Sequence, residues 1–142
     1  MQLFYYLAAE IIGALFGSLF IKYIIGTEAS LGANSPNYTF PIPIIFGIEV
    51  LATALLMAVI LTVVHTRGLR AFSGIVIGGI VGLDIFFLAF ISDASMNPAR
   101  SLAPALLSGG GVVTNLWLYW DATFIGAAII AFIYRINFGR NS

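Results

Sequence analysis

Four long apolar stretches alternate with shorter segments that are richer in charged residues, glycine and proline. Each stretch has about 20 residues, the length of helix that crosses the roughly 30 Å hydrocarbon core of a bilayer. The pattern therefore predicts an all-α membrane protein with four transmembrane helices, at about residues 3–25, 42–64, 71–91 and 116–137.

Composition excludes a soluble globular domain. Of the 142 residues, 61% are hydrophobic and 8% are charged, whereas a soluble domain has roughly 45–50% apolar and about 25% charged residues. The six basic and six acidic side chains balance, so the chain has no excess positive charge for phosphates and we expect no nucleic acid partner. With no cysteine and one histidine, the sequence predicts no metal site.

Arginines mark two segments that we expect to face the cytoplasm. The connection at residues 65–70 (HTRGLR) holds two arginines, and the C-terminal tail adds Arg135 and Arg140. Positively charged residues concentrate on the cytoplasmic side of membrane proteins. Since the number of spans is even, both termini should then lie in the cytoplasm.

The positions of aromatic and small residues are also typical of membrane-spanning helices. Trp117, Tyr119 and Trp120 open the last span, as in the aromatic belts of membrane interfaces. In the first and third spans, glycines recur at a spacing that predicts close approach of helix backbones in lipid. These glycines are Gly13, Gly17, Gly74, Gly78 and Gly82.

The segment at residues 92–115 (SDASMNPARSLAPALLSGGGVVTN) is too polar for a span, but it contains a short helical pattern. Asn97 is suited to cap the helix, Pro98 to fill its first position, and Gly109–Gly111 to end it. The stretch between these signals makes a helix of about 16 Å, close to half of the hydrocarbon core. We predict a re-entrant half-helix at 97–108 that enters from outside with its N-terminus near mid-depth; an exterior loop is the alternative.

The sequence MNPARSLAPAL at residues 96–106 resembles the second Asn-Pro-Ala signature of the major intrinsic protein family, the aquaporins and aquaglyceroporins. Residues 6–25 and the following LGANSPN resemble the family's third helix and its loop. The remaining spans resemble the fourth, fifth and sixth helices. The resemblance thus implies a partial aquaporin-like fold, with residues 1–142 as a single partial channel domain.

The family's first two helices and its first Asn-Pro-Ala half-helix have no counterpart in this sequence. The family pore is closed by two half-helices, one from each inverted repeat. The resemblance therefore implies one complete repeat and one orphan helix, and we expect a fragment, a truncated gene product or one half of a split channel.

The resemblance assigns pore roles to the signature residues Asn97, Pro98, Ala99 and Arg100. Asn97 would donate its side-chain amide to passing water and, with the half-helix dipole, would oppose a proton wire. A plain N-cap is the simpler role, and both can hold at once. Arg100 matches the family's constriction arginine, which donates to water and repels cations; a structural ion pair is the alternative.

Two further constriction positions of the family fall on apolar residues. Counting back from Asn97, the position on the fifth helix is Ile85 and the loop position is Ala94. Narrow water-selective members commonly carry histidine and cysteine there, so the resemblance implies a wider and less polar filter. Ser101 and Ala105 stand where glycerol facilitators resemble each other in carrying Asp and a basic residue, which favours water.

Acidic residues at the centre of a membrane helix cost about 2.5–3.5 kcal/mol each on insertion scales. Glu49 matches the family's fourth-helix glutamate, and we expect it to scaffold the pore loop by accepting hydrogen bonds from the backbone of residues 92–97. Glu10 lies equally deep from the cytoplasmic side, and we expect it to find no equivalent partner. Asp84 has no family role, and Asp93 stands at the outer mouth, where glycine is usual and a carboxylate would draw cations.

These features predict a passive water channel subunit of aquaporin type that needs no cofactor. An aquaglyceroporin-like channel for small neutral solutes and a truncated, non-conducting membrane subunit are the alternatives. We find no nucleophile with a base and no carboxylate pair at hydrolase spacing, so we expect no enzyme. The expected partners are water, small neutral solutes, the lipid bilayer and, by family resemblance, copies of the chain in a tetramer in the cell membrane.

Overall fold

The computed structural model describes residues 2–138, except for the side chains of residues 29 and 110. Arg140, part of the predicted cytoplasmic tail, lies outside the described residues. Within them, every regular element is a helix, and α1 continues into one π-helical turn at Ile21–Ile25. The α-helices are α1 (Gln2–Phe20), α2 (Ile42–His65), α3 (Ser73–Ser92), α4 (Pro98–Ser108) and α5 (Leu116–Phe138), and short 3₁₀ segments lie at Glu28–Gly32, Arg70–Phe72 and Gly110–Asn115.

Four helices, α1 with its π-helical turn, α2, α3 and α5, are long and apolar enough to cross a membrane. Large apolar side chains such as Phe4, Phe86 and Phe132 are exposed on their outer faces, where lipid would surround them. The prediction of an all-α membrane protein with four spans is confirmed. The observed helix ends lie within two residues of the predicted ones.

The helices α2 and α5 form the core of the chain. They pack against each other along their length, and α3 packs on another side of α2. Five residues are buried in α2 and five in α5, whereas α3 has two buried residues and α1 has one. The edges of the described structure are therefore α1 and α3.

Two of these helices approach each other closely at Gly126 in α5. A Cβ atom built on this residue would lie 2.5 Å from the carbonyl oxygen of Val50 and 3.0 Å from the Cβ of Thr53, both in α2. Only glycine fits at this point. The glycines predicted to permit close packing, Gly13, Gly17, Gly74, Gly78 and Gly82, have open space within 4 Å of their Cβ positions. Within residues 2–138, no helix packs closely on these glycines, so the predicted close approach is not found within the described chain.

The half-helix α4 lies between α1 and α5 and also contacts the 3₁₀ segment Glu28–Gly32. Its C-terminal end is held by Lys22, whose Nζ donates to the carbonyl oxygen of Leu107 at 3.2 Å. A cation at this end interacts favourably with the helix dipole. Gly109, with φ 70°, ends the helix as predicted.

Candidate functional site

The N-terminus of α4 is capped by the side chain of Asn97. Its Oδ1 accepts hydrogen bonds from the backbone N–H groups of Ala99 at 2.8 Å and Arg100 at 3.3 Å. Pro98 occupies the first helical position, where its missing N–H costs no hydrogen bond. Because Oδ1 faces the helix, the amide Nδ2 points away from it and is available as a donor.

The depth of Asn97 can be estimated from its neighbours on two spans. Its Nδ2 lies 3.5 Å from Oε1 of Glu10, which is about 12 Å along α1 from the start of that helix. The adjacent Met96 binds Glu49, about 10 Å along α2 from its start. These two helices begin on opposite sides of the membrane in the predicted topology, so both distances set Asn97 well inside a hydrocarbon core of roughly 30 Å.

Glu49 anchors the segment that leads into α4. The backbone N–H of Met96 donates to Glu49 Oε1 at 2.6 Å, and the Glu49 side chain is fully buried. The predicted hydrogen bond between Glu49 and the backbone of residues 92–97 is present. Its second oxygen, Oε2, has no hydrogen-bond partner among the described residues.

The same segment adopts an unusual backbone conformation. Asp93, Ala94 and Met96 have φ values of 73°, 45° and 55°, in the left-handed region that costs a non-glycine residue roughly 1–2 kcal/mol. Local hydrogen bonds hold this conformation: Ser95 Oγ lies 2.5 Å from Ser101 Oγ and 3.1 Å from the carbonyl oxygen of Asn97. Left-handed non-glycine residues thus occur where the chain turns into the half-helix, and also at Ser30 and Leu31 in the Glu28–Gly32 segment.

Tyr119 of α5 stabilises the segment that leads into α4, a role that was not predicted from the sequence. Its hydroxyl donates to the carbonyl oxygen of Ser92 at 2.8 Å, and the side chain is 1% exposed. The assignment of Tyr119 to an interface belt is therefore wrong. A tyrosine near the start of a span can lie at the membrane interface or donate to a buried acceptor, and the sequence does not distinguish these two roles. The structure shows that Tyr119 donates to the carbonyl oxygen of Ser92.

Asp93 connects this segment to the loop between α1 and α2. Its Oδ2 accepts from the backbone N–H of Ser35 at 3.0 Å, and its carbonyl oxygen lies 3.4 Å from Asn34 Nδ2. Asn37 binds the end of α3 through its backbone N–H to Ile91 and its side chain to Phe90. One oxygen of the carboxylate predicted to draw cations is thus engaged in holding the loop.

Asn97 and Arg100 line one open groove of about 420 Å³ between α1, α4 and the Glu28–Gly32 segment. Arg100 is exposed there, and its guanidinium makes no ion pair within residues 2–138, so the alternative of a structural ion pair finds no partner in that range. The remaining lining residues include Glu10, Ala14, Ser18, Leu31 and Pro104.

The two apolar filter positions do not join this groove. Ala94 is fully buried in a cluster with Ala52 and Met96, because the left-handed turn directs its side chain into the protein. The Ala94 side chain therefore does not line this groove. Ile85 is 43% exposed on α3, away from the residues that line the groove.

A second, apolar groove of about 380 Å³ lies on the other side of the α4 N-terminus, between α1 and α5. Glu10 borders both grooves. Asp84 lies apart from either one; it is 3% exposed in α3, and its Oδ2 has no hydrogen-bond partner among the described residues. The structure does not assign Asp84 a role.

Comparison with known proteins covers nearly the whole chain. It is 33% identical over 135 residues to the glycerol uptake facilitator protein-like 6 of Lactiplantibacillus plantarum, a match over 92% of this chain and 62% of that protein. It is 38% identical over 138 residues to aquaporin NIP3-1 of Arabidopsis thaliana, with 92% and 42% covered. With aquaporin Z of Rhodopseudomonas palustris the identity is 29% over 143 residues, with 92% and 59% covered.

The chain therefore spans about half the length of these curated relatives. The sequence model of the major intrinsic protein family matches residues 1–134, a range that includes the re-entrant segment, the half-helix and the groove. Since this match takes in almost every described residue, the chain belongs to the major intrinsic protein family.

Proposed function

We propose that this chain forms one side of a pore through which water passes down an osmotic gradient, as a passive channel subunit of aquaporin type. The observation that carries the proposal is the joint position of Asn97 and Arg100 on one groove, at the start of a half-helix. No cofactor is needed, because water moves down its own gradient. Family membership supports the prediction that the chain is not an enzyme.

The N-terminal end of α4 would orient the passing water. The amide N–H of Asn97 that is not directed to Glu10 donates to the water oxygen, and the helix N-terminus carries the equivalent of about half a positive charge. Both turn the oxygen toward α4 and the hydrogens away from it, which interrupts a proton wire. Arg100 adds a permanent charge that repels cations and further donors for water.

The opposite wall of the pore would come from another segment. The groove that contains Asn97 is open rather than enclosed, so lipid or a neighbouring chain would fill it when the described residues stand alone. We propose that a segment equivalent to the family's first repeat completes the wall. The alternative is a subunit that does not conduct. A chain that never associates with a segment equivalent to the first repeat would keep an open groove in place of a closed pore, which favours this alternative for such a chain.

A channel for small neutral solutes such as glycerol is the second candidate. The similarity to a protein named as glycerol uptake facilitator-like supports it, as does the exposed apolar side chain of Ile85. Against it, Ser101 and Ala105 are each 1% exposed, so neither offers a polar group to a solute in the groove. Water therefore remains the preferred substrate.

We further propose that the protein lies in the cell membrane with both termini in the cytoplasm. Arg67 and Arg70, on the connection between α2 and α3, are exposed, as the positive-inside rule requires of a cytoplasmic turn. The exposed apolar faces of α1 and α3 provide surfaces on which copies of the chain could assemble, and we propose a homotetramer. Crosslinking in native membranes, followed by mass measurement, tests this assembly.

Vesicle swelling tests the channel. Purified chain is reconstituted alone, and also together with the matching N-terminal part of a relative such as aquaporin Z. We expect water permeability near the lipid background for the chain alone, a clear rise in the mixed vesicles, and a smaller response to glycerol. Loss of the rise with Asn97→Trp would confirm that water passes the half-helix. Strong conduction by the 142-residue chain alone, abolished by Asn97→Trp, would contradict the need for a second wall.

A further inference from the structure

Glu10 occupies a distinctive place in the site. Its carboxylate lies on α1 directly opposite the N-terminus of α4, and it borders both the polar groove with Arg100 and the apolar groove on the other side. Its Oε1 is 3.5 Å from Asn97 Nδ2. Thus Glu10, predicted to have no equivalent partner, contacts the side chain to which the pore role is assigned.

The geometry of the Asn97 amide explains why this contact matters. Its Oδ1 accepts from two backbone N–H groups, of Ala99 and Arg100. Rotating the amide by half a turn would set its NH₂ group against these two donors, so Nδ2 must face the groove. The amide carries two N–H bonds, of which one is directed to Glu10, which leaves the other for a permeating molecule.

The two glutamates near the half-helix therefore act on different parts of it. Glu49 is buried and accepts from the backbone N–H of Met96, so it fixes the path of the chain. Glu10 is exposed, and within residues 2–138 its carboxylate accepts a hydrogen bond only from the Asn97 side chain. A charged acceptor forms a stronger hydrogen bond than a neutral one, so a carboxylate at this place holds the Asn97 amide more firmly than an uncharged group would.

We propose that Glu10 is a positioning residue for Asn97: its carboxylate holds one N–H of the amide and thereby directs the other into the path of water. The proposal deepens the proposed function and rests on it. In the absence of Glu10, the cap to α4 remains and keeps Nδ2 toward the groove, but neither N–H of the amide is held by an acceptor among the described residues. Asn97 then presents a less well-oriented donor to the water.

A first experiment measures the contact without any transport. The chain is labelled with ¹⁵N-asparagine in detergent micelles, and the Asn97 side-chain amide signal is identified by its loss in Asn97→Asp. We expect Glu10→Leu to move this signal by more than its line width, whereas Glu10→Gln, which keeps an acceptor oxygen, moves it less. The control Asp121→Asn, which removes an exposed carboxylate of α5 outside both grooves, leaves it in place. An Asn97 signal that is the same in wild type and Glu10→Leu overturns the proposal.

A second experiment measures the consequence in the mixed vesicles described above. We expect Glu10→Leu to lower water permeability several-fold, Glu10→Gln to retain most of it, and Asp121→Asn to match the wild type. Equal permeability of wild type and Glu10→Leu contradicts the positioning role. If the wild type itself never conducts, the proposed channel function fails, while the amide signal still reports whether Glu10 holds Asn97.

Discussion

The pair α2 and α5 differs from the pair α1 and α3 in what surrounds each helix. In the first pair, backbones approach so closely that only glycine fits at position 126, and polar side chains such as Glu49 and Tyr119 are directed into the protein. In the second pair, glycines at helix-packing spacing face open space. The comparison indicates that α2 and α5 form a rigid support for the half-helix, while α1 and α3 present faces that other segments can cover.

Gly126→Val should lower the free energy of unfolding the most, because it disrupts the packing of α5 against α2. The new side chain would collide with the carbonyl oxygen of Val50, and overpacking of this kind costs about 3 kcal/mol. Denaturant unfolding in detergent micelles, followed by helical circular dichroism, measures the loss. The matched control Gly13→Val, which meets no atom within 4 Å, should stay within about 0.5 kcal/mol of the wild type. Equal losses for both variants would remove the distinction between the two helix pairs.

Glu49→Leu should have the next largest effect. It leaves the Met96 N–H buried without its acceptor, which costs about 2 kcal/mol, and the same unfolding measurement detects it. Glu49→Gln keeps an acceptor oxygen and should lose about half as much. Glu10→Leu, on the exposed side of the half-helix, is the contrasting variant and should be nearly neutral for stability. A larger loss for Glu10→Leu than for Glu49→Leu would reverse the roles assigned to the two glutamates.

Tyr119→Phe should have the smallest effect of the three. It removes one hydroxyl that donates to the Ser92 carbonyl oxygen and leaves the ring in place, so we expect a loss of about 1 kcal/mol. Tyr6→Phe, in an exposed position on α1, serves as the control and should not change the midpoint of unfolding. A Tyr119 variant as stable as this control would show that the hydroxyl does not hold the re-entrant segment.

Features with local causes could be predicted from the sequence. The ends of α4 follow from Asn97, Pro98 and Gly109, because capping and helix termination depend on a few neighbouring residues. The Glu49 contact was predictable because Glu49 lies in α2 at the depth expected of the re-entrant segment and matches the family's fourth-helix glutamate. The four spans follow from length and hydropathy alone.

Features that depend on the direction of a side chain could not be predicted in this way. Ala94 was placed in the filter by its distance from Asn97 along the chain, but the left-handed backbone at residues 93–96 turns its side chain inward. In the sequence, Tyr119 cannot be distinguished from an aromatic residue at the membrane interface, because both are found near the ends of spans. The spacing of small residues shows that a backbone can approach closely, but not whether another helix is there to do so, as the open faces at Gly13 and Gly74 demonstrate.

The hydrogen bonds around the re-entrant segment also fix an order of events during biosynthesis. Glu49 is translated before this segment and Tyr119 after it, and both bind its backbone. The hydrogen bond from Tyr119 to Ser92, the residue before the left-handed turn, can therefore form only when α5 has left the ribosome. A nascent chain that ends before residue 116 therefore holds the segment without this hydrogen bond.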